Sequence, residues 1–465
     1  MDAEHIETAQ HAVTTVTPSI TALFGIILTL MIVSLAAEEK LHAKKSVIVG
    51  VFAIISLLLG SFLGIIPIGA VTVPGGHHID MPVYIPGIDW KVIAIIVGSS
   101  VFVDVTSKSG LFTWIAIVLT KASKGDPVKL LWSYGLMTVI FSAVLNNVTA
   151  MIIVGSLTVV SLGKLGRSHQ LLHFLLIEGL LTNIGGLLTL ISSVPNIIVG
   201  GAAGISFVAF FIKAAPFVIV ATAATIFMGA KIFKITALKT EEEKQEAAHL
   251  IAGFNENDGI ESRAFFWFST AMLIAFILTI ATTSILPVVK DLGMGFVALA
   301  FATIMLIRYK AEADKFYKAV DWDLIGFFMG LFVVINVMEH AHVLDAIGKA
   351  VQFMIGEGET SFGTGVLLIS SAVFSSVTDN IPLAAMLAKI LVSLGTATDS
   401  TLWWSVVFGA NLGGNLTPIG SASTLVAVTI MHKHKVPLSF AGFVIKALPF
   451  AIMQITLATI YVLVF

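Results

Sequence analysis

The sequence predicts an all-α polytopic membrane protein built from two inverted-topology repeats, with about 10 membrane crossings, two re-entrant helical hairpins and two broken helices. Three observations carry this prediction: an extreme apolar composition, a helix-breaking pattern that occurs twice, and a regular alternation of basic and uncharged loops.

Composition comes first. Of 465 residues, 57% are hydrophobic and only 12% charged, and the mean hydropathy is +0.99. That is no soluble enzyme with a buried core. Apolar runs of bilayer-spanning length recur, for example PSITALFGIILTLMIVSLAA at residues 18–37 and SVIVGVFAIISLLLGSFLGIIPIG at residues 46–69. The tail of residues 1–17 has no basic residue, so the first run reads as a retained span and not as a signal peptide. A formal charge of -2 gives no hint of nucleic acid, and the absence of cysteine excludes disulfides, thiolate metal sites and cysteine nucleophiles. There is no GxxxxGK[ST] phosphate loop, and the polar segment of residues 231–263 is too short for a nucleotide-binding domain. Any work done on a solute is therefore driven by an ion gradient, with no other cofactor.

The second observation is a duplication. DWKVIAIIVG at residues 89–98 matches DWDLIGFFMG at 321–330, and SAVLNNVTA at 142–150 matches SSVTDNIPL at 375–383. NIGGLLTLISS at 183–193 matches NLGGNLTPIGS at 411–421, and IKAAPF at 212–217 matches IKALPF at 445–450. Four blocks in one order, with polar and glycine positions aligned, mean two homologous halves. The first repeat is residues 18–230, with a hairpin near 128–164 and a broken helix near 170–200. The second is residues 264–465, with a hairpin near 361–395 and a broken helix near 401–431; residues 231–263 form a cytoplasmic linker.

The third observation sets orientation. Lys40, Lys44 and Lys45, then Lys121, Lys124 and Lys129, then Lys164 and Arg167 fall in alternate loops, separated by loops without basic residues. Arg308, Lys310, Lys315 and Lys318, and later Lys433 and Lys435, continue the pattern. Both termini lie outside. Each half makes an odd number of net crossings, so the second half is inverted. Inverted halves with helix breaks at corresponding positions are the pattern of a secondary transporter. Lys213 and Lys446 read as snorkelling anchors on interfacial helices leading into Pro216 and Pro449.

Backbone groups cannot stay unpaired in hydrocarbon, so an irregular segment at that depth lies in protein or beside water. Breaks at Gly185 and Gly186, and at Gly413, Gly414 and Pro418, free carbonyls at one half-helix end and amides at the next start. Asn183, Thr189, Ser192 and Ser193, with Asn411, Asn415, Thr417 and Ser421, add neutral oxygen ligands that suit sodium. Close helix packing by small residues is the plainer role of such glycines. The turns LNNVT and TDNIP read as re-entrant tips beside these breaks, which places candidate sodium ligands at Asn147, Gly185, Asn380 and Gly413.

Ionisable residues in spans are functional candidates because insertion is expensive. Asp379 lies in a repeated polar tip, and Glu178 lies five residues before Asn183; both are candidate proton or cation carriers, with pairing to His173 the alternative for Glu178. Asp104 reads as an interfacial carboxylate, and Glu339, His340 and His342, like His77 and His78, as interfacial clusters.

SAVLNNVTAMIIV, TNIGGLLTLISSVPNIIVG, FSSVTDNIPLAAML and GANLGGNLTPIGSAS resemble the ion transporter superfamily, in particular its ArsB/NhaD branch, with citrate and dicarboxylate transporters as more distant relatives. The resemblance implies a homodimer in a prokaryotic-type inner membrane, with a scaffold holding an elevator-like transport domain. It implies hairpin tips at Asn146, Asn147 and Thr149 and at Thr378, Asp379 and Asn380, and unwinding that starts at Asn183 and Asn411. Two acids common among relatives are missing here: the first tip is Asn146-Asn147, and ISSVPN stands where relatives often have IGDPPN. Two readings follow. One is an ion-coupled permease for a small anion or metalloid oxyacid such as arsenite or a carboxylate; the other is a sodium/proton antiporter using Asp379 and Glu178. A channel is disfavoured because an open pore needs no matched, inverted breaks.

Overall fold

Ten of the described helices are long and apolar enough to cross a membrane. In this computed structural model the described residues are 15–67, 71–72, 78–79, 81–82, 84–356, 359–378, 380–436 and 438–464. Asp379, His77 and most of the tail of residues 1–17 lie outside them. Along Phe207–Ile232, Ile212, Ile219 and Phe227 are 64%, 67% and 66% exposed. Water would penalise such a face heavily, whereas lipid tails solvate it.

The element order repeats. A span, Trp90–Ser107, and a short helix, Leu111–Ala122, precede the first hairpin, whose arms are Pro127–Val144 and Asn147–Lys164. The first broken helix follows as Leu171–Gly185 and Val194–Ala203, and then Phe207–Ile232. In the second half the series is Trp322–His340, Val343–Ile355, the hairpin Ser361–Val377 with Asn380–Ser393, the broken helix Thr401–Gly413 with Ala422–Lys433, and Phe440–Val464. The second hairpin's arms, at 17 and 14 residues, are shorter than the first pair, at 18 each. Apart from a short antiparallel pair, Val71–Thr72 with His78–Ile79, the described residues form the duplicated helical architecture that the sequence implies.

Two details differ from expectation. Helical bonding continues past Asn183 and Asn411, with Gly186 N–H donating to Thr182 O at 2.8 Å, so unwinding starts at Gly186 and Gly414. Glycine lowers helix propensity without forbidding the helix, and tight packing favours continuing it. Lys213 and Lys446 do not sit on separate interfacial helices; they lie within Phe207–Ile232 and Phe440–Val464, which run through Pro216 and Pro449.

The chain divides into two compact units, residues 1–93 with 321–351, and residues 94–320 with 352–465. In the first unit Lys45–Phe62 packs along Trp322–His340 through small residues, as membrane helices do when lipid supplies no hydrophobic drive. A Cβ on Gly330 would stand 3.0 Å from Val49, and one on Gly326 would stand 3.1 Å from Ser46. Ser46 Oγ donates to Asp323 at 2.5 Å, and Thr21 Oγ1 donates to Ala341 O at 2.9 Å. The second unit holds both hairpins and both broken helices, and with them every candidate site residue that is described.

Candidate functional site

Each break is built the same way. A helix ends on a Gly-Gly pair, about eight residues run irregularly, and a serine precedes the next helix. Pro195 sits in the first turn of its half-helix, where a missing N–H costs nothing. The two serines then diverge. Ser421 caps its own helix, accepting from Thr424 N–H at 3.3 Å, whereas Ser193 makes no cap bond. Its hydroxyl reaches the other repeat, donating to Asn411 Oδ1 at 2.7 Å.

That contact has a mirror. Asn183 Nδ2 donates to Ser421 Oγ at 2.9 Å, so the asparagine of each break is bonded to the serine of the other. Further bonds knit the crossing. Asn183 Nδ2 also donates to Asn415 Oδ1 at 2.8 Å, and its own Oδ1 accepts from Ser423 at 3.3 Å and Asn147 at 3.4 Å. Asn411 Nδ2 donates to Asn196 Oδ1 at 2.9 Å and Val407 O at 2.8 Å. Asn196 Nδ2 in turn holds the carbonyls of Gly186 and Thr189, and Asn415 Nδ2 donates to Leu180 O and Gln454 Oε1. Asn183, Asn196, Asn411, Asn415 and Gln454 are at most 1% exposed. Every side chain in this network is neutral, and its hydrogen bonds matter chiefly because leaving a buried amide group unpaired in hydrocarbon is costly.

The hairpins are latched to the breaks by matched contacts. Thr189 Oγ1 donates to Ala143 O and Thr417 Oγ1 to Ser376 O, both at 2.6 Å. Ser142 Oγ donates to Thr182 O and Ser375 Oγ to Ala410 O, again both at 2.6 Å. The glycines let the backbones meet. A Cβ on Gly185 would lie 2.6 Å from Val139 O, one on Gly186 2.8 Å from the Asn147 amide, and one on Gly414 2.9 Å from Ser421 Cβ. Thr189→Val and Thr417→Val each leave a carbonyl unsatisfied, so each is expected to cost about 1–3 kcal/mol. Thermal unfolding in detergent measures this, and a large loss at one threonine with none at the other would mean that the latches are not equivalent.

The structure gathers Asn147, Asn183, Gly186, Ser193, Asn411, Asn415 and Ser421 into one network. It separates others from it. Asn146 is exposed and caps the second arm through Thr149 N–H at 2.8 Å, and Thr378 turns its hydroxyl back to Phe374 O. Asn147, Thr149, Thr378 and Asn380 are half-buried, and Asn147 reaches the buried cluster through Asn183. Gly185 and Gly413 serve close packing. Sequence reasoning missed Gln454, which joins Asn415 to Thr225 through a 3.0 Å bond from Nε2; a lone amide in a 25-residue apolar helix was its signal.

Glu178 is fully buried, and its partner is Thr158, whose hydroxyl donates to Oε1 at 2.6 Å. His173 is not that partner; its ring stacks on Phe233 with centroids 4.4 Å apart. Residues five apart on a helix do not face each other. Among the described residues Glu178 Oε2 has no hydrogen-bond partner. Beside it Tyr134 bonds Thr120 at 2.6 Å and Ser161 at 2.5 Å, a second buried polar seam that joins the first hairpin to Leu111–Ala122. Asp104 is half-buried, His340 bonds Asn336 O at 2.8 Å, and His342 pairs with Asp345 at the surface.

Residues 65–409 match the sequence profile of CitMHS, described as citrate transporter. The chain belongs to the CitMHS family. This CitMHS chain is a membrane transporter and not an enzyme. It is 30% identical over 384 residues to the "46 kDa membrane protein" of Mycobacterium leprae (strain TN), a match covering 81% of this chain and 86% of the relative. It is 29% identical over 380 residues to "Uncharacterized transporter Mb2703" of Mycobacterium bovis, with the same coverages. The crystal structure of the Alcanivorax borkumensis YdaH transporter shares its fold, with a TM-score of 0.53 at 11% identity over 96% of this chain and 98% of that one.

Proposed function

We propose that this transporter carries a small anion such as a carboxylate of the citrate kind, or a neutral metalloid oxyacid of the arsenite kind, together with a coupling Na+ or H+, by elevator-type alternating access. The observation that carries the reading is the crossed pair of bonds, Ser193 to Asn411 and Asn183 to Ser421, which brings two interrupted helices face to face. Amide NH2 groups and the uncapped start of Val194–Ala203 offer donors to an anion, while amide and hydroxyl oxygens offer ligands to a cation. Because the network holds no lysine or arginine, a multiply charged anion binds best with its coupling cation beside it. The family description points to citrate, and the ArsB/NhaD-like motifs widen the choice to metalloid oxyacids. The latches tie hairpins and broken helices into one body, which favours their moving as a unit, on a scaffold within a homodimer. The lysine pattern favours both termini lying outside, in a membrane of the prokaryotic inner-membrane type. Proteoliposomes loaded against a sodium or proton gradient test the reading: labelled citrate or arsenite accumulates only with the gradient, and flux indifferent to both gradients would defeat it.

Sodium/proton antiport is the second reading, favoured by the unpartnered Oε2 of Glu178. Glu178→Gln keeps the bond from Thr158 but cannot carry a proton. Under antiport it abolishes sodium-driven proton movement with the fold retained, as does Asp379→Asn. Under the anion reading solute flux survives Glu178→Gln. A fluorescent pH probe in the same vesicles reads the difference: no sodium-driven proton movement in the wild type removes the antiport reading, and undiminished movement in both variants removes Glu178 and Asp379 as its carriers.

A further inference from the structure

A cavity of about 380 Å³ lies away from the crossed network, lined by His173, Ile232, Phe233, Lys234, Ile445, Lys446 and Pro449. Its chemistry is mixed in a specific way. Lys234 and Lys446 supply two positive charges, and among the described residues no carboxylate pairs with either. His173 lies flat against Phe233, and its buried Nδ1 has no hydrogen-bond partner among the described residues. The remaining wall is apolar and outward: Ile445 is 72% and Ile232 46% exposed, each on a membrane-spanning helix. Lys446 stands six residues inside its helix, a depth of about 9 Å, within the reach of a snorkelling lysine at the headgroup level. Its counterpart in the other repeat behaves differently: Lys213 lies 5.8 Å over the ring of Trp404. The duplicated lysine is covered in one half and opens into a cavity in the other.

We propose that this cavity binds the phosphate headgroup of an anionic phospholipid. A basic pocket between the ends of membrane helices matches a lipid phosphate in charge, and the outward isoleucines beside it match the acyl chains of the same molecule. A free small anion would satisfy the lysines but make no use of the outward isoleucines beside them. The proposal is independent of which solute the crossed network carries.

The test uses delipidated full-length protein in detergent, titrated with phosphatidylglycerol, phosphatidylcholine, inorganic phosphate or citrate, and read by thermal shift and native mass spectrometry. Phosphatidylglycerol is expected to bind and raise the melting temperature, with phosphatidylcholine inert. Lys234→Gln with Lys446→Gln is expected to weaken phosphatidylglycerol about 30-fold. The unliganded melting temperature of that double variant verifies its fold, and the exposed single variant Lys234→Glu weakens binding in the same direction. Lys213→Gln leaves binding unchanged. Equal binding of phosphatidylglycerol to the folded double variant overturns the proposal, as does complete competition by phosphate or citrate, which would make the cavity a free-anion site.

Discussion

Gly413→Val is expected to detach the second hairpin from the second broken helix and to leave no transport-competent protein. Even a single Cβ at Gly413 would intrude on the Ala372 carbonyl and lie 2.7 Å from Ser375 Cβ, and valine adds two methyl groups beyond it. Ala372 O is backbone and cannot rotate away. Either the arm Ser361–Val377 moves or the break does, and both motions strip the 2.6 Å bonds from Ser375 to Ala410 O and from Thr417 to Ser376 O. Overpacking costs about 1–3 kcal/mol or more, and each severed latch adds about 1–3 kcal/mol. Gly201 supplies the contrast: a Cβ there meets nothing within 4 Å, so Gly201→Ala should be neutral or stabilising by up to about 1 kcal/mol. Thermal unfolding of the detergent-solubilised variants separates the two. If Gly413→Val unfolds like wild type, the close approach of hairpin and break does not hold this unit together.

The same residues show what could be read without coordinates. The doubled Asn-x-Gly-Gly pattern located both breaks, because only a duplicated helix breaker in an apolar setting demands a local reason. It misplaced the start of unwinding, since propensity cannot distinguish a glycine that ends a helix from one that lets another backbone approach. Glu178 was conspicuous by its charge, but its partner came from the second arm of the first hairpin, 20 residues away in sequence, where no helical periodicity points. Gln454 escaped because one amide in an otherwise apolar span reads as noise until Asn415 and Thr225 stand on either side of it. The crossed pairing of Asn183 with Ser421 and of Ser193 with Asn411 is a tertiary fact; the repeat implied equivalent roles without saying that each half completes the other.

Asn411→Asp is expected to abolish transport, whereas Asn146→Asp leaves it near wild type, although both sit in repeated polar motifs and both changes swap an amide for a carboxylate. At position 411 the amide nitrogen donates to Asn196 Oδ1 and Val407 O, and the substitution turns both contacts into oxygen facing oxygen. A charge placed there, at 1% exposure and with no lysine or arginine among the network's side chains, costs several kcal/mol and repels the Asn196 and Val407 oxygens, although the Ser193 hydroxyl can still donate to the carboxylate. Position 146 is exposed, and its side chain only accepts, capping Thr149 N–H, a role that aspartate fills as well as asparagine. The expected change in stability there is therefore within about 0.5 kcal/mol. Uptake in proteoliposomes with parallel melting curves decides the matter. A live Asn411→Asp would mean that solute passes elsewhere than between the breaks. A dead but folded Asn146→Asp would mean that the first tip handles the solute directly, and that its asparagine is kept neutral for the cargo and not for the helix.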